Sequence, residues 1–355
     1  MDNQKSKKKS PVLFFLASFL AVLIITVIAN RQSALVKEIT IPMNNGILSL
    51  STYDNLLTAV SFDNKAYIIE WNNLSKKYLT IPVAFDQMAM LGNGTTISVL
   101  KYNAKSVVFA DIKGDRNKKE MSLAAGENKA FLKIGRHCSK PILVLAQAKP
   151  DGVDRTVFTF YTIDPNKEYL QFEFTADLQI DINQRINAAV SDDGRLVSLC
   201  GGESPPSAGW IALYDTEERK LLWESRLPNP ALFFNCEFSA DSKLIYARGS
   251  DSSVYKFDSS NGQMVGQLMP KSDNASTLTN KHVQSVEISS DGSLVGAVVG
   301  SKVYIWEQAT GRKVFSKSPA HKLISDIAFS PDSKFLATAD VRQGGKIKIW
   351  RIPGR

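Results

Sequence analysis

From residue 35 onward the chain shows no sustained helical periodicity. Short runs rich in β-branched and aromatic residues alternate apolar with polar positions and are separated by turn residues. The clearest runs are VEISSDGSLVGAVVGSKVYIWEQATGRKVFSK (286–317) and IAFSPDSKFLATADVRQGGKIKIWRI (327–352). Each predicts a strand, a Ser-x-Asp turn, a second strand, another turn, and a third strand ending in Ile-Trp. The same template fits 188–227 and 236–268, and more loosely 47–73, 88–115 and 131–172. The first-turn positions are Asp54, Asn93, His137, Asp193, Asp241, Asp291 and Asp332, spaced 39, 44, 56, 48, 50 and 41 residues apart. Seven units of about 46 residues fit the roughly 40–50 of a four-stranded propeller blade.

Six units carry a fourth strand after the third, within 76–82, 118–124, 168–174, 220–228, 262–270 and 312–318. The seventh unit has only three strands. The stretch LVKEITIP (35–42) supplies the missing one, so the N-terminal strand should pair outside Lys346–Ile352 and close a ring. Closure removes a free sheet edge that would otherwise invite aggregation. The expected fold is therefore all-β: a seven-bladed β-propeller over 35–355, closed by an N-terminal strand and preceded by a single transmembrane helix.

That helix is read from Val12–Ala29, 18 residues without a charge, behind Lys5, Lys7, Lys8 and Lys9. The run is close to the ~20 residues that span a bilayer and exceeds the roughly 7–15 of a signal-peptide core. Val27-Ile28-Ala29 nevertheless resembles a cleavage site. Residues 1–11 are expected to be a basic cytoplasmic tail and 12–30 an anchor or signal sequence. The lysines favour the inner side of the membrane, which places 35–355 outside the cytoplasm, periplasmic or extracellular. Cleavage would give a secreted form.

Residues 35–355 resemble the WD-repeat β-propeller family. The family's blade carries Gly-His before the first strand, Ser or Thr in the second, Asp in the following turn and Trp ending the third, linked by hydrogen bonds. The last unit has His321, Thr338 and Trp350 with no clear Asp at the turn; the sixth has His282 and Trp306. The resemblance implies structural histidines and a protein-binding scaffold. The fourth unit, GWIALYDTEERKLLW, also resembles the repeat of quinoprotein-type propellers.

Composition adds few candidates for chemistry. Net charge is +8, of which the first ten residues contribute +3. The remainder lacks the basic stripe that nucleic acid requires. Cys138, Cys200 and Cys236 lack metal-ligand spacing and read as small buried side chains, although a bridge between Cys200 and Cys236 is conceivable. No zinc motif, nucleophile elbow or phosphate-binding loop occurs. Asp177, Asp181 and Asp192 are too scattered to pair as acid and base. No catalytic residue, cofactor or metal is therefore expected.

Functional expectation falls on the connections. Turns between first and second, and third and fourth, strands read as short. The long connections, Lys149–Arg155, Gly201–Gly209, Lys271–Lys281 and Val341–Gly345, all open on the opposite face. Long loops on a rigid scaffold are where binding tends to sit. Candidate partner-binding residues are Glu203, Pro205, Trp210, Lys271, Lys281 and Arg342, with Trp210 open to either a core or a surface role. The expected function is a non-catalytic, membrane-anchored scaffold for a protein partner. The alternatives are a propeller enzyme at the channel mouth, quinoprotein-like or hydrolytic, and a structural envelope component.

Overall fold

The computed structural model describes residues 35–355 apart from 42–45, 54, 62–65, 80–84, 91–95, 102–105, 112–113, 123–127, 134–141, 149–155, 165–168, 179–185, 204–207, 229–231, 252, 269–284, 300, 319–323 and 341–344. The expected membrane segment lies outside the described residues, as do His137, His282 and His321. Among the described residues no helix occurs, and none is therefore long and apolar enough to cross a membrane.

The described residues form seven four-stranded antiparallel sheets. Consecutive strands are hairpin neighbours, in keeping with turn residues every few positions. The first sheet holds β2 (Ile47–Tyr53), β3 (Leu56–Ser61), β4 (Ala66–Glu70) and β5 (Lys76–Leu79). The second runs from β6 (Phe85–Met90) to β9 (Gly114–Ser122), and the third from β10 (Asn128–Lys133) to β13 (Tyr169–Leu178). The fourth holds β14 (Ile186–Val190), β15 (Leu196–Glu203), β16 (Ala208–Asp215) and β17 (Lys220–Leu227). The fifth holds β18 (Phe233–Phe238), β19 (Leu244–Gly249), β20 (Val254–Asp258) and β21 (Met264–Leu268). The sixth holds β22 (Val286–Ile288), β23 (Leu294–Val299), β24 (Lys302–Glu307) and β25 (Lys313–Lys317).

The seventh sheet joins the two ends of the strand array. Its order is β1 (Leu35–Thr40), β28 (Lys346–Arg351), β27 (Phe335–Asp340) and β26 (Ile324–Phe329). Leu35 lies opposite Trp350 and Thr40 opposite Lys346. Ile41 N–H continues the ladder to Gly345 O at 2.9 Å. Ion pairs from Lys346 and Lys348 to Glu38, at 2.8 and 3.6 Å, flank this closure. The pairing answers the edge problem set by the terminal strand: Lys346–Arg351 gains a partner on its open side.

Packing follows from the alternation. One sheet cannot bury both of its faces alone, so neighbouring sheets cover one another. Separate apolar cores lie between the third and fourth, fourth and fifth, fifth and sixth, and sixth and seventh sheets. Another joins the seventh to the first, with Ile39, Ile347 and Ile349 against Leu57 and Ile69. Innermost strands touch in the series β6, β10, β14, β18, β22, β26, β2. This arrangement is consistent with a β-propeller. Cys200 and Cys236 are not joined in a disulfide, and both are buried in the core between the fourth and fifth sheets.

Candidate binding rim

Because six sheets are simple antiparallel meanders, and the seventh has the same layout with β1 as its outer strand, first and third turns lie at one end and the remaining connections at the other. The first end is built from a repeated hydrogen-bond pattern. In the Ser-x-Asp turns at Ser191, Ser239, Ser289 and Ser330, the serine hydroxyl donates to the aspartate Oδ1 at 2.6, 2.7, 2.7 and 2.7 Å. The same hydroxyl accepts the backbone N–H of Leu196, Leu244, Leu294 and Phe335 at 2.8–2.9 Å. These contacts let a short side chain replace ladder bonds as the chain reverses. A further backbone bond ties the third turn to the first: Thr216 to Arg195 O, Ser259 to Lys243 O, Gln308 to Ser293 O and Ile352 to Lys334 O, at 2.8–3.0 Å.

The four aspartates titrate below the ordinary carboxylate range. Partial burial opposes the shift at Asp193, Asp291 and Asp332 and is outweighed by hydrogen bonds. At Asp241 the bond from Ser239 is the largest influence. Asp291 is driven furthest, to about 2, by Ser293, Ser289, backbone and Ser333 donors. A cavity of about 500 Å³ opens between the fifth and sixth sheets here, bordered by Asp241, Asp291, Glu307 and Arg355. The Arg355 guanidinium donates to Asp291 Oδ2 at 3.1 Å.

The opposite end, where the binding residues were expected, is only partly within the described residues. Pro205, Lys271, Lys281 and Arg342 fall outside them. Glu203 is the last residue of β15, paired with Ala208. The expected long connection Gly201–Gly209 is therefore corrected: strand pairing runs to Glu203 and resumes at Ala208, so only four residues separate the strands. Trp210 is corrected as a surface candidate. It sits on β16 between Gly201 and Arg226, 0% exposed, in the core between the third and fourth sheets. A Pro/Gly-rich loop had suggested exposure, but the pleat turns this position inward. Between the described strands, the longest interval on this rim is 269–285, separating β21 from β22.

Around that connection the rim is knit across sheets. Leu232 O accepts Ser250 N–H at 2.8 Å, and Leu232 also bridges to Gly202, linking the fourth and fifth sheets. Asn187 Nδ2 donates to Phe234 O at 3.2 Å, while Asp326 Oδ2 accepts Leu50 N–H at 2.9 Å, so polar side chains on innermost strands bind the next sheet. Arg248, on β19, is 1% exposed and spans two sheets. Its Nε donates to Val298 O and its Nη1 to Gly249 O, both at 3.0 Å. No carboxylate among the described residues forms an ion pair with it. Burial pushes the guanidinium down to about 10 against the opposing charge of Asp251. Burial also raises the Tyr255 phenol, which donates to Asp251 Oδ2 at 2.7 Å. Sequence reasoning missed Arg248, although a charge ending the apolar run Leu244–Ala247 was the available signal.

Trp350 Nε1, buried at the end of β28, donates to Thr338 Oγ1 on β27 at 3.0 Å. Residues 312–351 match the WD domain, G-beta repeat, family. No curated protein matches the chain. The WD-repeat match starts beside β25, the outer strand of the sixth sheet, and ends with β28, the third strand of the seventh. The sequence repeat is therefore offset by one strand from the sheet, the same offset that β1 completes at the other end. Together with the strand-rich architecture, the match supports a WD-repeat-like family and, through it, a protein-interaction role. Among the described residues no group of three or more His, Cys, Asp and Glu could hold a metal ion.

Proposed function

We propose that this chain is a seven-bladed WD-repeat-like propeller, tethered to a membrane by Val12–Ala29, that binds a protein partner outside the cytoplasm and performs no catalysis. The carrying observation is the contrast between the two rims. One is locked by the repeated Ser-x-Asp and turn-to-turn bonds. The other bears the longest connection, 269–285, on a base knit by Leu232 and Arg248. A rigid scaffold with one long, polar connecting segment suits recognition. The loop includes Lys271, Asp273 and Lys281, and so offers a partner mixed charge with a slight positive excess.

The test replaces 271–281 in the full-length chain with a short Gly-Ser linker and compares cross-linked partners captured from intact cells. Expected are an unchanged unfolding midpoint and loss of at least one partner that the parent captures. The same partners at the same yield would overturn the reading.

A further inference from the structure

The exposed large apolar residues among the described residues are Leu35, Val36, Leu221, Leu222, Met264 and Val265, between 37% and 53% exposed. They occupy the same two positions on the outer strands of three sheets. Leu35, Leu221 and Met264 lie opposite Trp350, Tyr214 and Phe257, near the end of each third strand. Val36, Leu222 and Val265 are the unpaired residues of a bulge that follows at once. In the sixth sheet the same bulge holds Val314, which instead packs into the core. A bulge on an outer strand turns the edge away from further pairing, but it does not require an apolar side chain.

These pairs therefore stand at one height around the perimeter, beside the hydrogen-bonded rim. They are spread along an arc and do not form one patch. Such a set matches a flat, fluid surface better than a compact partner. Two further observations point to lipid. Five residues, 30–34, separate Ala29 from Leu35, a reach of roughly 18 Å when fully extended. Moreover, β1 starts at this rim, with Leu35 opposite Trp350, and runs away from it toward Gly345. The rim's own charges are largely paired within it, Arg195 with Asp215, Lys220 with Glu218, Arg312 with Glu307 and Arg355 with Asp291.

We infer that the rim of Ser-x-Asp turns rests on the bilayer surface, with Leu35, Val36, Leu221, Leu222, Met264 and Val265 as an apolar collar at the headgroup–acyl boundary. This rests on the reading of Val12–Ala29 as an uncleaved anchor. The 269–285 rim then faces away from the membrane, open to partners.

The experiment places nitroxide labels through Val36→Cys, Val265→Cys, Thr40→Cys and Gln267→Cys in the full-length chain, reconstituted in vesicles of phosphatidylcholine with phosphatidylglycerol. The parent chain carried through the same labelling gives the background. Accessibility to oxygen, which concentrates in lipid, is compared with accessibility to a water-soluble nickel chelate. Expected is a several-fold higher oxygen-to-nickel ratio at 36 and 265 than at 40 and 267. Position 265 decides the outcome, because it is remote from the tether. If the chain resists carbonate extraction while the label at 265 is as open to nickel as that at 267, the collar is refuted and the anchor stands. Exclusion of both probes at 265 would mean burial against a second copy, also refuting it. Extraction of the chain by carbonate would remove the anchor and the collar with it.

Discussion

Gly262 sits in the turn between β20 and β21 with φ +72. A Cβ there would lie 2.6 Å from both Cδ2 and Cε3 of Trp223, the ring that covers this turn from the fourth sheet and donates from Nε1 to Ser259 O at 2.8 Å. Two costs should therefore add in Gly262→Ala. The left-handed conformation costs a non-glycine residue roughly 1–2 kcal/mol. Forcing a methyl into a packed site costs about 1–3 kcal/mol more. The fold supplies its own control. Gly311, at the equivalent turn of the sixth sheet, has φ +67, but its added Cβ would meet only Leu268 Cδ2 at an ordinary 3.4 Å. Leu74 and Arg219 occupy the same turn position with φ 52 and 57, so a side chain is tolerated where there is room. Gly311→Ala should cost about 1–2 kcal/mol and Gly262→Ala roughly 2–5 kcal/mol. Urea unfolding of the full-length chain in detergent, followed by tryptophan fluorescence and circular dichroism, reads the difference. Combining Gly262→Ala with Trp223→Leu should recover at least ~1 kcal/mol as coupling. Equal losses for the two alanine variants, or additivity with Trp223→Leu, would refute the account of how the fourth sheet is held to the fifth.

Acid should loosen the Ser-x-Asp rim. The four turn aspartates have folded pKa values below the unfolded one, so their contribution is fully present above about pH 4 and is lost as pH falls toward 2. For Asp291, lowered from 3.8 to about 2, the full effect would be roughly 2.4 kcal/mol. With its side chain 42% exposed, about 1 kcal/mol is expected after screening. Asp291→Asn should flatten the stability profile between pH 4 and 2, and an unchanged slope would count against the hydrogen-bond explanation. Arg248→Met should cost about 2–4 kcal/mol, because Val298 O and Gly249 O lose buried donors; stability within experimental error of the parent would show that the guanidinium does not brace the two sheets.

The parts of the fold that were legible in the sequence are those where local chemistry and the ring agree. Ser-x-Asp followed by an alternating run marks a turn because the serine and aspartate side chains bond the backbone within five residues. Asp193, Asp241, Asp291 and Asp332 fall in such turns. The closing strand was legible because Lys346–Arg351 needs a neighbour and Leu35–Thr40 has none in its own stretch of chain. Outer strands were legible as short runs after the third strand: β1, β5, β17, β21 and β25 lie within the expected ranges, whereas β9 starts four residues before 118–124 and β13 runs four residues past 168–174.

What escaped the reading depends on side-chain direction across sheets. Trp210 and Arg248 both end up buried, although one follows a Pro/Gly loop and the other carries a charge. Whether a residue near a strand end faces a neighbouring sheet or solvent is fixed by the pleat and by bulges, and a bulge has no sequence signature. The collar residues illustrate the same point: Leu222 and Val265 read as ordinary strand positions, and only the register shift opposite Leu213–Tyr214 and Lys256–Phe257 turns them outward. Repetition then separates accident from design. A single bulged, exposed valine is common on any surface. Bulges at matching positions in the fourth, fifth and seventh sheets, each holding an exposed apolar residue, are a recurrent feature of the outer strands. On the proposal that Val12–Ala29 is an anchor, the short-turn rim, where β1 begins, is the one that would lie toward the bilayer. The far ends of the same strands, between which 269–285 connects β21 to β22, stand about 20 Å from that rim, the length of β28.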